Sequence, residues 1–243
     1  MPDSFSGNDL VERYAGLEGR NLIAAVVADH PNEVALLSSF GAESSVLLHM
    51  VSEVAPDTPV FFLDTHKLFP ETIAYRDQLV RELGLTNLRV IEPDAHDLSR
   101  TDPDGTLHGR DTDLCCHIRK TVPMAKAMAG NRVMLSGRKR FHGAGRSDLQ
   151  FVSMQDGVLK VEPLAAFTSL DLSTYMQKHH LPSHPLRLRG YRSIGCMPCT
   201  SLGGTDDDPR AGRWAGTEKT ECGIHFSANG QIIRTVNRSF AAL

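Results

Sequence analysis

The chain has 243 residues, a formal net charge of −3 and a hydrophobic fraction of 41%. That is enough apolar material for a sizeable core in one α/β domain, and it argues against wholesale disorder. No apolar run is long enough to span a bilayer, and the polar start Met1-Pro2-Asp3-Ser4 lacks the flank and core of a signal peptide, so a cytoplasmic, reducing location is expected.

Residues 8–29 read as helical, interrupted at Gly19. Strand and helix signals then alternate. Val34-Ala35-Leu36-Leu37 suits a buried parallel strand, Ser38 to Ser44 turns the chain, and Val46 to Val54 continues as a helix. Val60-Phe61-Phe62-Leu63 is the next strand, ending at Asp64-Thr65. Pro70 and Glu71 open a helix that Gly84 stops. Leu88 to Ile91 follows as a strand, Thr112 to Ala129 as a helix, and Arg132 to Leu135 as a strand ahead of Ser136-Gly137. Asp156-Gly157 marks a hairpin between residues 151–153 and 158–160, and Thr168 to Asp171 caps a helix over Leu172 to His179. From Leu181 to Gly216, Pro, Gly and Arg predict loops around a site. Repeated βα units predict a mostly parallel sheet with helices on both faces.

Charge is unevenly spread. Leu114 to Ser147 holds no Asp or Glu but includes Arg119, Lys120, Arg138, Lys139, Arg140 and Arg146; Leu172 to Thr205 is also acid-free and carries Arg187, Arg189 and Arg192. Each window contains a cysteine pair, Cys115-Cys116 and Cys196-Met197-Pro198-Cys199. A charge run usually marks solvated surface, but two such windows around thiol pairs fit an anionic metal site beside an anionic ligand better. Scarce aromatics and an acidic overall balance make nucleic acid the weaker reading.

Two thiol pairs in a reducing compartment read as one metal site. Zinc is the commoner meaning of paired cysteines. Adjacent Cys115 and Cys116 are unusual for zinc, and the surrounding Arg and Lys would stabilise the negative charge of a four-thiolate iron–sulfur centre. The fifth thiol, Cys222 in Glu221-Cys222-Gly223-Ile224-His225, lies in polar sequence unlike a core, near Lys219 and His225. Cations there would lower its pKa, while Glu218 and Glu221 oppose them. Arg210, Arg213 and Trp214 just upstream are suited to clamp an anion. Ser38 to Ser45, including Ser39, places small residues at a strand-to-helix turn whose amides can cradle phosphate, although the loop lacks the lysine of a Walker motif. Three strand exits, at Ser38, Leu63-Asp64-Thr65 and Ser136-Gly137, together point to a nucleotide crevice.

The ordered set Cys115-Cys116-His117-Ile118-Arg119-Lys120, Arg189-Gly190-Tyr191, Gly195-Cys196-Met197-Pro198-Cys199-Thr200, Gly212-Arg213-Trp214 and Glu221-Cys222-Gly223-Ile224-His225 resembles assimilatory adenylyl-sulfate reductases from about Val34 to His225. Leu63-Asp64-Thr65 with Phe69-Pro70-Glu71-Thr72 belongs to the same pattern. The resemblance implies an adenine-nucleotide fold related to the PP-loop pyrophosphatases, with a [4Fe–4S] cluster on Cys115, Cys116, Cys196 and Cys199. It implies a lead-in over 1–33, a nucleotide-binding domain over 34–205 and a catalytic tail over 206–243. By the same resemblance Cys222 is the nucleophile, and Ser38, Ser39, Gly41, Leu63, Lys120, Gly137, Arg210, Arg213 and His225 touch substrate. Related enzymes acting on the 3′-phosphorylated nucleotide generally lack the four cluster cysteines, so adenosine 5′-phosphosulfate is the implied substrate. Thioredoxin, or a glutaredoxin-like protein, is the implied reductant, and a homo-oligomer without nucleic acid or membrane partners is expected.

The chain departs from the family pattern in two places. Many relatives read Ser-Phe-Ser-Gly-Ala-Glu-Asp where this chain has Ser38-Ser39-Phe40-Gly41-Ala42-Glu43-Ser44, and Arg138 to Arg146 lacks an Arg-Asp-Gln-Ser run. Alternatives are an enzyme acting on the 3′-phosphorylated or both substrates, a PP-loop pyrophosphatase or tRNA sulfur-transfer enzyme, and a zinc-stapled nucleic-acid-binding module.

Overall fold

The computed structural model describes residues 7–143, 146–155, 157–205, 208–217, 219 and 221. Two short helices, α1 (Gly7–Arg13) and α2 (Gly19–Asp29), precede the sheet; Gly16 and Gly19, at φ +76° and +51°, turn the chain between them. Three βα steps follow: β1 (Val34–Leu37) to α3 (Ser44–Val54), β2 (Val60–Leu63) to α4 (Pro70–Glu82), and β3 (Leu88–Ile91) to α5 (Ala95–Thr101). The strands are short apolar runs, and β1 and β2 are almost wholly buried, as expected where helices cover both faces.

The stretch after α5 holds α6 (Leu107–Arg110), α7 (Thr112–Cys116) and α8 (Val122–Ala127), leading to β4 (Val133–Ser136). β5 (Val152–Gln155) and β6 (Val158–Val161) form the expected antiparallel hairpin, with its turn residue Asp156 outside the described residues. Next come α9 (Ser169–Lys178), opened by a Thr168–Asp171 capping box, and α10 (Pro185–Leu188). The sheet order is β3-β2-β1-β4-β6-β5, parallel except for the β5 edge.

Alternation along the strands divides the core. Val34, Leu36, Val60, Phe62, Val133 and Leu135 pack under α2, α3, α4 and α9 in the large cluster. Ala35, Phe61, Leu63 and Met134 face the other way onto Met124 and Met128, at α8 and its end.

The structure corrects one element. Thr112 to Ala129 is not a continuous α-helix: α7 ends at Cys116, His117–Thr121 is a π-turn, and α8 resumes at Val122, whose amide donates to His117 O. Pro123 supplies the reason. It has no N–H for a bond to residue 119, and its ring would press on that carbonyl in a regular α-helix. The wider turn relieves both problems. Two helices, α5 and α6, also lie in a stretch that carries no predicted element. Asp94 starts α5 by accepting from the His96 and Asp97 amides.

The described residues of 189–217 contain no long element but are tied down by isolated bridges, Leu68 with Cys196, Tyr191 with Gly203 and Thr200 with Arg213. No helix among the described residues is long and apolar enough to cross a membrane.

Candidate active site

The C-terminal ends of β1, β2 and β4 open into a cavity of about 260 Å³. This is where an open parallel sheet binds ligands. Ser38, Ser39 and Gly41 line it from the β1 exit, Leu63 from β2, and Gly137 from β4. Lys120 lines it from the π-turn, and Arg210 and Arg213 from the C-terminal loops. Every residue that the resemblance implies to touch substrate, where it falls within the described residues, therefore lines this one cavity. Cys222 and His225 lie outside the described residues; Glu221, one position before Cys222, lines the cavity.

The β1–α3 loop is set by burial as much as by hydrogen bonds. Ser38 Oγ accepts from the Phe40 amide at 3.2 Å, and Phe40 sits at φ +48° with its ring fully buried, edge-on to Phe62 at 5.4 Å. A left-handed aromatic residue costs about 1–2 kcal/mol, comparable to the gain from burying its ring. Gly41 follows, and a β-carbon there would lie 3.4 Å from Ile194 O, so the loop runs close against the C-terminal segment. Glu43, the N-cap of α3, makes no capping bond to the helix amides. Those amides and the helix dipole favour an anion.

The rest of the wall is strongly charged. Glu43 pairs with Lys139 at 2.6 Å and with His142 at 3.1 Å. Burial works against ionising Glu43, but Lys139 and His142 hold its pKa down at about 2. The His142 pKa is lowered too, chiefly by burial and against the pull of Glu43. Arg138 is held by Glu162, with Nε at 2.7 Å from Oε1, and Ser136 donates to the other oxygen of Glu162 at 2.5 Å. Arg146 bonds Glu221 through Nε at 2.7 Å and Nη2 at 2.6 Å, and Arg210 reaches the second oxygen of Glu221 at 3.2 Å. Arg213 stacks over Trp214, 4.5 Å from the ring centroid, and a β-carbon on Gly195 would overlap its guanidinium. Lys139, His142, Arg146 and Arg192 lie outside the expected contacts. Their signal was the two acid-free runs, Leu114 to Ser147 for the first three and Leu172 to Thr205 for Arg192.

A second, smaller cavity is lined by all four paired cysteines, together with Lys67, His108, Arg119, Lys120 and Pro198. Cys115 and Cys116 come from the end of α7; Cys196 caps the 3-10 turn Met197–Cys199, and Cys199 ends it. Met197 N donates to Lys67 O at 2.7 Å, fastening the second pair to the loop after β2. Thr65 Oγ1 lies 3.2 Å from Cys196 Sγ. None of the four is joined in a disulfide. Burial raises the Cys115 pKa, with Arg119 opposing and Cys196 and Cys199 reinforcing. Cys199 is likewise raised by burial and by Cys196, while Lys120 and Arg213 favour its thiolate. Arg119 is itself buried, bonded to Asp102 at 2.5 Å and to Thr65 O at 2.9 Å. No three His, Cys, Asp or Glu side chains among the described residues are arranged to hold a single metal ion, and the four thiols instead ring a cavity. An all-sulfur donor set walled by Arg119 and Lys120 suits a soft, anionic metal group. Lys120 and Cys196 line both cavities.

Comparison with known proteins agrees with this layout. Residues 33–202 match the model of the phosphoadenosine phosphosulfate reductase domain. An adenosine 5′-phosphosulfate reductase from Mesorhizobium japonicum is 48% identical, over 81% of this chain and 77% of its own. Another from Chelativorans sp. is 45% identical, over 90% of each. A phosphoadenosine 5′-phosphosulfate reductase from Gloeobacter violaceus is 35% identical, over 89% of this chain and 92% of its own. Among solved structures, a phosphoadenylyl-sulfate (PAPS) reductase from Candida auris in a phosphate complex shares the fold, with TM-score 0.70 and 22% identity over 82% of this chain and 99% of that one. The FMN adenylyltransferase of Candida glabrata shares it more distantly, at TM-score 0.56 and 13% identity over 83% of this chain and 67% of that one. On the domain match and the identity to relatives over most of both chains, this chain belongs to the phosphoadenosine phosphosulfate reductase family.

Proposed function

We propose that the chain reduces adenosine 5′-phosphosulfate to sulfite and AMP in sulfate assimilation, with a thioredoxin-type dithiol as reductant, through a covalent intermediate on Cys222 in a tail spanning residues 206–243. The observation that carries this reading is the junction at Lys120, where a cation-lined cavity at the strand ends adjoins a cavity ringed by four thiols. The names of the relatives from Mesorhizobium and Chelativorans select the substrate.

In this mechanism the β1–α3 loop and the α3 amides receive the nucleotide's anionic end, while Arg146, Arg210, Arg213 and Lys120 neutralise the phosphosulfate. The Cys222 thiolate attacks the sulfuryl sulfur. The bond from that sulfur to the bridging phosphate oxygen breaks, and AMP leaves with the electron pair, leaving Cys222 S-sulfonate. His225 helps to position the sulfuryl group. A reductant thiolate then attacks Cys222 Sγ and releases sulfite with the S–S electron pair. The second thiol of the reductant resolves the mixed disulfide, so two electrons pass from dithiol to sulfur and Cys222 returns as a thiol. Cys115, Cys116, Cys196 and Cys199 would hold a [4Fe–4S] cluster, which would supply negative charge and no electrons to the reaction.

The test is anaerobic purification followed by sulfite measurement from adenosine 5′-phosphosulfate and from its 3′-phosphorylated form, each with reduced thioredoxin. Sulfite from the first substrate is expected, and its loss in Cys222→Ser with AMP binding retained. Sulfite release by Cys222→Ser at the wild-type rate would remove the nucleophile from the scheme.

A further inference from the structure

Among the described residues two carboxylates line the larger cavity, and they are held differently. Glu43 heads α3 and is locked between Lys139 and His142. Glu221 comes from the C-terminal segment and bridges Arg146, 75 positions away, to Arg210, 11 positions away. These two guanidiniums come from different loops, and each disfavours the charge of the other. Arg146 is also buried, which lowers its pKa as the largest effect. Such a pair is stable in one cavity only with an anion between its members. Here the chain supplies that anion itself, at 2.6–2.7 Å from Arg146 and 3.2 Å from Arg210.

We infer that Glu221 is a built-in stand-in for the substrate's anionic group: its carboxylate fills the Arg146–Arg210 site in the empty enzyme, and the nucleotide must displace it to bind. This rests on the reading above that the cavity takes an adenylyl phosphosulfate. A phosphate group brings more charge and more acceptor oxygens than one carboxylate, so it wins the exchange. The exchange still weakens binding, because apparent affinity falls with the fraction of molecules whose site is open. If Glu221 occupies the site in about nine molecules of ten, the loss is about tenfold. Glu221 directly precedes Cys222 in the chain, so the displacement that admits the substrate also frees the neighbour of the proposed nucleophile.

The experiment is calorimetric titration of the metal-loaded protein with AMP, for wild type and Glu221→Gln, alongside the KM for adenosine 5′-phosphosulfate. The expected result is AMP binding about tenfold tighter in Glu221→Gln, with KM falling in step. A merely structural Glu221 would move both quantities the other way. Glu221→Ala, checked for a wild-type melting transition, must tighten AMP binding as well. Unchanged or weaker AMP binding by either folded variant overturns the inference. If wild type binds AMP but yields no sulfite, the functional reading fails and the AMP titrations alone judge Glu221. If sulfite forms and neither variant binds AMP more tightly, the inference fails by itself.

Discussion

Gly195→Ala separates the placement of Arg213 from the stability of the fold. Gly195 has no left-handed backbone, so alanine suits its main chain. An added β-carbon would lie 2.6 Å from Arg213 Nη1 and closer still to Cζ and Nη2. The obstacle is the far end of a flexible side chain, so the guanidinium swings aside and the backbone stays. What the fold loses is a cation–π contact with Trp214 at 4.5 Å and a long bond from Nε to Cys199 O at 3.4 Å. Together these are worth about 1–2 kcal/mol, a fall of about 2–8 °C in melting temperature for a chain of this size. The substrate loses more. A charged hydrogen bond to an anion contributes about 1.5–3 kcal/mol, so AMP affinity should drop about 10- to 150-fold, with a matching rise in KM. Calorimetric titration with AMP and a thermal melt on the same preparation measure both effects. Undiminished AMP affinity would show that Arg213 does not serve the anion, and a melting loss well beyond 10 °C would show that the backbone had yielded instead.

Cys196→Ser should lose iron, its visible absorbance and sulfite formation together; an iron-free protein with full activity would remove the metal from the scheme. Asp102→Asn leaves Arg119 buried without its counter-charge and should cost about 3–5 kcal/mol in urea unfolding at pH 7. Burial opposes the Asp102 charge, but Arg119 and the Leu107 amide lower its pKa, so its contribution is present above the ordinary carboxylate range and lost as pH falls through the folded value. Wild-type and variant stabilities should therefore converge in acid; a gap that persists there would contradict the assignment. Glu43→Gln should cost about 3 kcal/mol at pH 7, from a pKa held at about 2 against an ordinary 4.5, and that difference should vanish between those two values as pH is lowered. A pH-independent difference would refute it.

The sheet was readable because its strands are short apolar runs bounded by turn residues, and Val34–Leu37 and Val60–Leu63 form where expected. The larger cavity followed from the rule that ligands gather at strand ends, which unites Ser38, Leu63 and Gly137 although they are far apart in sequence. The π-turn was hidden because Pro123 in an otherwise helical pattern signals a break without saying how the ladder adjusts. Helix α5 has no buried face, so apolar periodicity could not announce it. The internal ion pairs were the least legible part. His142 and Glu43 are 99 positions apart, and Arg146 and Glu221 are 75 apart. Only the folded sheet brings such charges together, and sequence spacing carries no trace of them.

The π-turn places one ammonium, that of Lys120, in the walls of two chambers, where it also favours the thiolate of Cys199. Its field is finite. An anion that settles against it in the larger chamber leaves less of that field for the sulfurs, and a more negative sulfur group leaves less for the anion. By thermodynamic reciprocity the two penalties are equal, so nucleotide titrations on protein with full and depleted iron content should differ by the same factor that nucleotide imposes on metal retention.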